Sequence, residues 1–327
     1  MEPSEARITA FIVTYNRVEH LKRAIDSVLN QTCRDFELII LDNSSTDGTE
    51  EYVKSLNDKR ITYIRHEKNI GGGGNISYAF AHCKGDYFAV FHDDDVLHTN
   101  LLEEEVAYLD SHEQCAAVSC LSNIIDENGC YTRITNEAKV QERTFSGSGF
   151  FAEYVNNQRN FVFPATLYRT SFIKEKQINI TFAAGPCADA VVYMDIEKAG
   201  GTVAEIPRVL IDYRVYRNQD SSAHLEEMLI RLIQFLAKDT YYGQLLRRDP
   251  KGRKRYLQWY FRRLLAREAS GCIDRTAAQD YFDQMNEALG GSNPRGNLYM
   301  VVLKAIGSMP GVSRLVYKIA KKAKKKL

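Results

Sequence analysis

The sequence predicts an α/β protein: a doubly wound, mainly parallel sheet flanked by helices, followed by a helical C-terminal region. Three observations carry this expectation. Short apolar runs alternate with amphipathic segments through the first half of the chain. Polar turns rich in Asp, Asn, Ser or Gly recur where those runs end. Strand signals cease near residue 220, and everything after about His224 has helical spacing.

Residues 8–13 (Ile-Thr-Ala-Phe-Ile-Val) read as the first strand, and 18–30 as a helix with Leu21, Ala24, Ile25, Val28 and Leu29 on one face. Residues 36–41 are a second strand. It runs into the turn Asp42-Asn43-Ser44-Ser45-Thr46-Asp47-Gly48, which caps a helix from Thr49. Residues 61–64 are a third strand, the glycines 71–74 open a helix over 75–83, and 87–91 are a fourth strand. Further strands are expected at 116–121, 203–206 and 209–213. Helices are expected near Thr99, at 151–157 and at 188–199, the last stopped by Gly200-Gly201. A domain boundary near 220 separates residues 1–220 from a basic helical region, 221–327.

Bulk properties narrow the class. The chain has 327 residues, 44% hydrophobic and 26% charged, with a net charge of +1. That is a globular composition, and its near-neutral balance gives no reason to expect a nucleic-acid partner. No apolar run reaches the roughly 18 residues of a membrane span. Seven cysteines are scattered without a CxxC pair, so a disulfide framework or zinc site is not expected. With no signal-like start, these features point to the cytoplasm. Beyond Val301 there are basic residues but no acidic ones, and Val312, Leu315, Val316, Ile319, Ala320 and Ala323 keep helical spacing. Segment 312–327 therefore reads as an amphipathic helix lying on an anionic membrane surface.

The most informative stretch is His92-Asp93-Asp94-Asp95, directly after the strand Tyr87-Phe88-Ala89-Val90-Phe91. Acidic runs are usually solvated faces or helix caps. Three carboxylates at the carboxyl end of a buried strand instead suggest a hard divalent cation, and one held this way commonly also holds a phosphate. Asp42 lies at a second strand end in the same register. The glycines at 71–74 allow close backbone approach, and the helix behind them favours anions. They form neither a dinucleotide fingerprint nor a P-loop. Asp189 is either an N-cap or a general base. His92 is a metal ligand or a hydrogen-bonding neighbour. Trp259, among Tyr256, Tyr260 and arginines, fits headgroup contact or core packing alike.

Taken together, residues 8–106 resemble the family 2 glycosyltransferases of GT-A fold. The resemblance rests on Val13-Thr14-Tyr15-Asn16, Asn30-Gln31-Thr32, the run Phe36 to Thr49, Asn69-Ile70-Gly71, and Gly85-Asp86-Tyr87 leading into Asp93-Asp94-Asp95. It continues more weakly through Ala188-Asp189 and Ile206-Pro207 to Tyr213-Arg214. It implies an inverting transfer from a nucleotide sugar, a UDP-sugar, to a saccharide or lipid-linked saccharide in cell-surface polysaccharide assembly. Thr14, Tyr15, Asp42, Asn69, Gly71, Gly72 and Asp93 would then hold the donor. Asp93, Asp94 and Asp95 would hold Mn²⁺ or Mg²⁺, and Asp189 would be the base. One alignment puts His92 at the first position of the family's Asp-x-Asp-Asp pattern, and another pairs Asp93 with Asp95. Tyr216 stands where the family often has a histidine. The competing readings are a sugar-nucleotide nucleotidyltransferase and a non-catalytic saccharide-binding module. The first would place a Gly-rich basic loop after the first strand, where this chain has Val13-Thr14-Tyr15-Asn16-Arg17.

Overall fold

The computed structural model describes residues 6–216 and 224–291, so the boundary expected near 220 and the tail 312–327 lie outside the described residues. The chain divides into two compact units. The first comprises Met1–Phe151, Arg159–Phe182 and Ala188–Gln219, and the second Ala152–Gln158, Ala183–Cys187 and Asp220–Leu327.

In the first unit the strands are β1 (Ile8–Thr14), β2 (Phe36–Asp42), β3 (Ile61–Arg65), β4 (Tyr87–His92), β5 (Val96–Leu97), β6 (Cys115–Ile125), β7 (Tyr131–Arg133), β8 (Arg143–Ser146), β9 (Thr166–Arg169) and β10 (Thr202–Arg214). They form one mixed sheet in the order β3-β2-β1-β4-β9-β6-β10-β5, with β7 beside β6 and β8 beside β10. The helices are α1 (Val18–Leu29), α2 (Thr49–Ser55), α3 (Gly71–His82), α4 (Leu101–Ser111), α5 (Gly149–Asn157, of which 152–157 fall in the second unit), α6 (Thr170–Glu175) and α7 (Ala188–Lys198).

The first four strands pair in parallel, β3 to β2 to β1 to β4. In β1 both Phe11 and its neighbours Ala10 and Ile12 are fully buried, because helices cover both faces. That is why the strand reads as an unbroken apolar run rather than an alternation. Leu21, Ala24, Ile25 and Val28 of α1 pack into the core with Ile8, Ala10 and Ile12 of β1 and Phe91 of β4.

Three features depart from the sequence reading. The glycines 71–74 form the first turn of α3 itself, which begins four residues earlier than expected. Residues 203–206 and 209–213 belong to one strand, β10, whose pairing to β6 shifts register between Glu205 and Val209. Pro207, which has no N–H to give the ladder, falls at that irregularity. Finally, β9 inserts antiparallel between β4 and β6. At four residues after Pro164 it carries no usable periodicity. Its Leu167 and Tyr168 are fully buried, and Tyr168 stacks on Phe88 of β4 at 5.1 Å.

The second unit contains α8 (Leu225–Lys238), α9 (Thr240–Arg248), α10 (Pro250–Ala269) and α11 (Arg275–Ala288). Aspartates start three of them: Asp239 accepts from the N–H groups of Tyr241 and Tyr242, Asp249 from Gly252, and Asp274 from Ala277. Leu232, Ile233 and Leu236 of α8, Tyr256 and Tyr260 of α10, and Phe282 and Met285 of α11 are buried. Trp259 is half-buried, with its ring against Tyr256 and Tyr260. Among the described residues no helix is long and apolar enough to cross a membrane.

The central position of β9 gives a stability test. Leu167→Ala should lower unfolding free energy by about 2–5 kcal/mol, as for other fully buried leucines. Ile134→Ala, at a side chain 73% exposed, should change it by less than about 0.5 kcal/mol. Urea unfolding of the two variants checks both.

Candidate active site

The strand order reverses at β1 and β4: β2 and β3 lie beyond β1, and β9 and β6 beyond β4. Such a switch point leaves a crevice at the carboxyl ends of the strands. Thr14 ends β1 and His92 ends β4, and Thr14 Oγ1 donates to Asp93 Oδ2 at 2.7 Å across this point.

The three aspartates that follow are not a solvated face, because Asp93, Asp94 and Asp95 are 4%, 8% and 3% exposed. Nor do they cap a helix, since α4 begins at Leu101, preceded by Asn100. They form the turn between β4 and β5, and β5 is tied to β10 through Leu97 with Ile211 and Val96 with Asp212. Arg214 of β10, itself buried, fastens the turn. Its backbone N–H donates to Asp95 Oδ1, its Nε to the Asp94 carbonyl and its Nη1 to the Asp126 carbonyl, each at 2.8 Å. Arg17 approaches from the start of α1, with Nη1 2.8 Å from Asp94 Oδ2 and 3.5 Å from Asp93 Oδ1. Its guanidinium also lies over the Tyr216 ring.

Positive charge here falls short of what three buried carboxylates need. The guanidinium of Arg214 binds carbonyls rather than carboxylates, and Arg17 is half-exposed. Asp95 Oδ2 is buried with no hydrogen-bond partner, a state that costs about 1–3 kcal/mol or more unless something offsets it. Burial, followed by repulsion from Asp94, pushes the Asp93 carboxyl up to about 6. The same two causes raise Asp95 well above the usual carboxylate range, and burial lowers His92.

His92, Asp94 and Asp95 each bring one potential ligand atom to within 4.8 Å of the others. One imidazole nitrogen and one oxygen from each of two carboxylates, with Asp95 Oδ2 buried and free of a hydrogen bond, fit a divalent cation such as Mn²⁺, with coordination positions left over. The geometry thus groups His92 with Asp94 and Asp95, while Asp93 faces β1 through Thr14.

The expected donor-binding residues lie around the same crevice. Tyr15, 45% exposed, follows Thr14. Asp42 is fully buried: Oδ1 accepts from the N–H and hydroxyl of Ser45, and Oδ2 from the Tyr63 hydroxyl. It shapes the turn that presents Asn43. Asn43 joins that turn to the next loop, its Nδ2 donating to Asn69 Oδ1 and its Oδ1 accepting from the Ile70 N–H, both at 2.8 Å. Gly71 has a left-handed φ of 77°, which favours glycine, and open space surrounds the Cβ positions of Gly71 and Gly72. A Cβ on Gly73 would sit 2.8 Å from the Phe182 ring, so this third glycine serves packing.

Asp189 lies in the first turn of α7, half-buried. Burial pushes its carboxyl up to about 6, against hydrogen bonds from the Ala190 N–H and the Asn160 side chain that favour the charged form. Asn160 Nδ2 donates to Asp189 Oδ2 at 2.7 Å. Three residues on, Phe163 meets the His92 ring at 6.0 Å. One short segment therefore touches both the acidic cluster and Asp189.

Residues 9–188 match the profile of the family described as Glycosyl transferase family 2. The chain belongs to that family. The matched span takes in the acidic cluster and stops one residue short of Asp189. A glycosyltransferase of Methanocaldococcus jannaschii, itself uncharacterised, is 30% identical over 180 residues, which cover 53% of this chain and 59% of that protein. Among solved structures, S. aureus TarS 1–349 in complex with UDP-GlcNAc aligns with a TM-score of 0.58 at 14% identity, over 87% of this chain and 90% of that one. A mannosyltransferase of Pyrobaculum calidifontis, in complex with GDP-Man and Mn²⁺, aligns at 0.52 and 16% identity, over 95% and 83%. At these identities the likeness is one of fold, the GT-A fold.

Sequence reasoning met Arg17 and Arg214 inside its motifs but gave neither a role in the site, and it did not single out Asn160. Arg17 adjoins the Thr14-Tyr15-Asn16 motif, and Arg214 closes a strand, so position could have flagged both. Asn160 sits in a stretch without periodicity and gave no signal. The two arginines should differ sharply on substitution. Arg214→Met keeps the backbone N–H on Asp95 but removes the side-chain donors to the Asp94 and Asp126 carbonyls and a buried positive charge beside the aspartates, and should cost about 2–4 kcal/mol. Arg17→Met, at a half-exposed ion pair, should cost about 1 kcal/mol or less. Chemical denaturation of each variant measures the difference.

Proposed function

We propose that this family 2 glycosyltransferase is an inverting, metal-dependent enzyme that moves a hexosyl group from a UDP-sugar to a hydroxyl of a saccharide acceptor. The observation that carries the reading is the group of half-buried His92 with buried Asp94 and Asp95, with its orphaned Asp95 oxygen, at the switch point beside exposed Tyr15. The fold neighbours support it, one holding UDP-GlcNAc and the other GDP-Man with Mn²⁺.

In this reading Tyr15 lies against the nucleotide, flanked by Thr14 and by the turn that Asp42 holds in shape. Asn69, Gly71 and Gly72 bring the amino end of α3 towards the diphosphate, where helix N–H groups favour anions. His92, Asp94 and Asp95 hold Mn²⁺ or Mg²⁺, with Asp93 beside them. When bound, the ion supplies positive charge against the negative charge that develops on the departing nucleoside diphosphate. Asp189 accepts the proton of the acceptor hydroxyl as that oxygen bonds to the anomeric carbon and the bond to the phosphate oxygen breaks. A single displacement from the opposite face inverts the anomeric centre, through an oxocarbenium-like transition state.

Residues 1–220 carry this chemistry, and the helical region lies beyond them. Through the basic, apolar-striped segment 312–327 the enzyme rests on the inner face of the cell membrane, where its acceptor is a lipid-linked saccharide of a growing cell-surface polysaccharide. The motif is the charge and spacing of that segment. Unchanged membrane association and unchanged activity on a lipid-linked acceptor after deletion of 312–327 would remove this part.

Turnover tests the chemistry. With Mn²⁺, a matching UDP-sugar and a saccharide acceptor, the protein should release UDP and yield a product of inverted anomeric configuration by NMR. EDTA should abolish the reaction and added Mn²⁺ restore it. Asp189→Asn should lower kcat about 100- to 10,000-fold, the usual contribution of a positioned base. Full turnover in that variant would eliminate Asp189 as the base.

A further inference from the structure

Asp189 is served by few groups. Its carboxylate is met by the Ala190 N–H at the start of α7 and by the amide of Asn160, at 2.7 Å. Two buried phenols, Tyr168 from β9 and Tyr193 from α7, lie near enough to feel its charge, and Tyr193 shares a 2.8 Å hydrogen bond with Thr166. Burial, together with the Asp189 charge, holds both phenols protonated. They are therefore neutral neighbours that neither pair with the carboxylate's charge nor repel it. Among the described residues, the amide of Asn160 is the side-chain group hydrogen-bonded to Asp189.

Asn160 is not there for packing. It is exposed and lies in the irregular segment between α5 and the turn Phe163–Ala165. Two phenylalanines that follow it in the chain anchor it. Phe161 is buried against Phe150 and Tyr193, with ring centroids 4.9 and 5.1 Å away, and Phe163 is buried against His92. An exposed asparagine is ordinarily satisfied by water. This one is carried on a doubly anchored backbone and directed at a half-buried carboxylate.

We propose that Asn160 is a positioning residue for the transfer reaction: its amide fixes the orientation of Asp189 and holds that carboxylate in its proton-accepting form. The proposal rests on the reading of Asp189 as the base. A base works only when ionised, so the rate should rise with pH through the base's pKa. Burial alone drives that pKa upward. A hydrogen bond to the charged form drives it down again and widens the pH range in which Asp189 can accept the proton of the acceptor hydroxyl.

The test is the pH profile of kcat/KM for the acceptor in the full-length protein with Mn²⁺, compared among wild type, Asn160→Leu, Asn160→Ala, Asn160→Gln and Asp189→Asn. Loss of the donor in the Leu and Ala variants should move the acidic limb up by about one pH unit, the scale of one hydrogen bond to an ionised group. Asn160→Gln, which keeps an amide, should recover part of the shift, and KM for the nucleotide sugar should not change. A merely structural role would lower activity evenly at all pH values and leave the limb in place, which overturns the proposal. If Asp189→Asn keeps full turnover, the base reading falls and takes the proposal with it. If Asp189→Asn is inactive while the Leu and Ala profiles superimpose on wild type, only the role of Asn160 falls.

Discussion

Buried negative charge at the carboxyl end of β4 is the constraint on which the rest of the site depends. Asp93, Asp94 and Asp95 follow an almost wholly buried strand and stay buried themselves. Several pieces of the fold exist to hold them. Thr14 ties Asp93 to the end of β1, Arg17 reaches in from α1, and Arg214 fastens the turn from β10. Even so, one Asp95 oxygen has no hydrogen-bond partner, and the nearby His92 ring nitrogen stands 3.9 Å away. Apolar residues there would fold more favourably, since buried charges are costly unless paired. A site kept under that tension is one in which charge has a purpose, and its imidazole and carboxylate donors suit a divalent cation.

Much of this was legible in the sequence, for physical reasons. The parallel strands β1, β2 and β4 are buried on both faces, so they show as continuous apolar runs, and their polar ends show as abrupt changes of composition. The acidic turn and the Asp42 turn stood out for that reason. The strand β9 did not, because four residues carry no period, and its place between β4 and β6 is decided by pairing partners far away in sequence. The split of β10 into two runs was an honest consequence of Pro207, which interrupts the pattern without ending the strand. Which side chains group as ligands was also hidden. Four consecutive residues point in different directions from a turn, and only the fold assigns Asp93 to Thr14 and leaves His92, Asp94 and Asp95 together.

The segment 160–163 touches both the acidic cluster and Asp189, the two halves of the proposed site. Phe163 packs beside His92, and Asn160 meets Asp189. Neither contact could be read from spacing, because the partners are 71 and 29 residues apart in sequence. Transfer chemistry needs the base and the leaving-group site at a fixed separation, since a misplacement of about 1 Å can cost a hundredfold in rate. A short irregular segment pinned by two buried phenylalanines meets that need better than a long free loop would.

The central claim is that the acidic turn binds a cation together with a nucleoside diphosphate. Isothermal titration of UDP into the protein, with and without Mn²⁺, tests it most directly. The account predicts that Mn²⁺ tightens UDP binding at least tenfold in the wild type, about 1.4 kcal/mol, and that this gain disappears in the Asp94→Asn/Asp95→Asn double variant. Equal UDP affinity with and without Mn²⁺, or a gain that survives loss of both carboxylates, would contradict it.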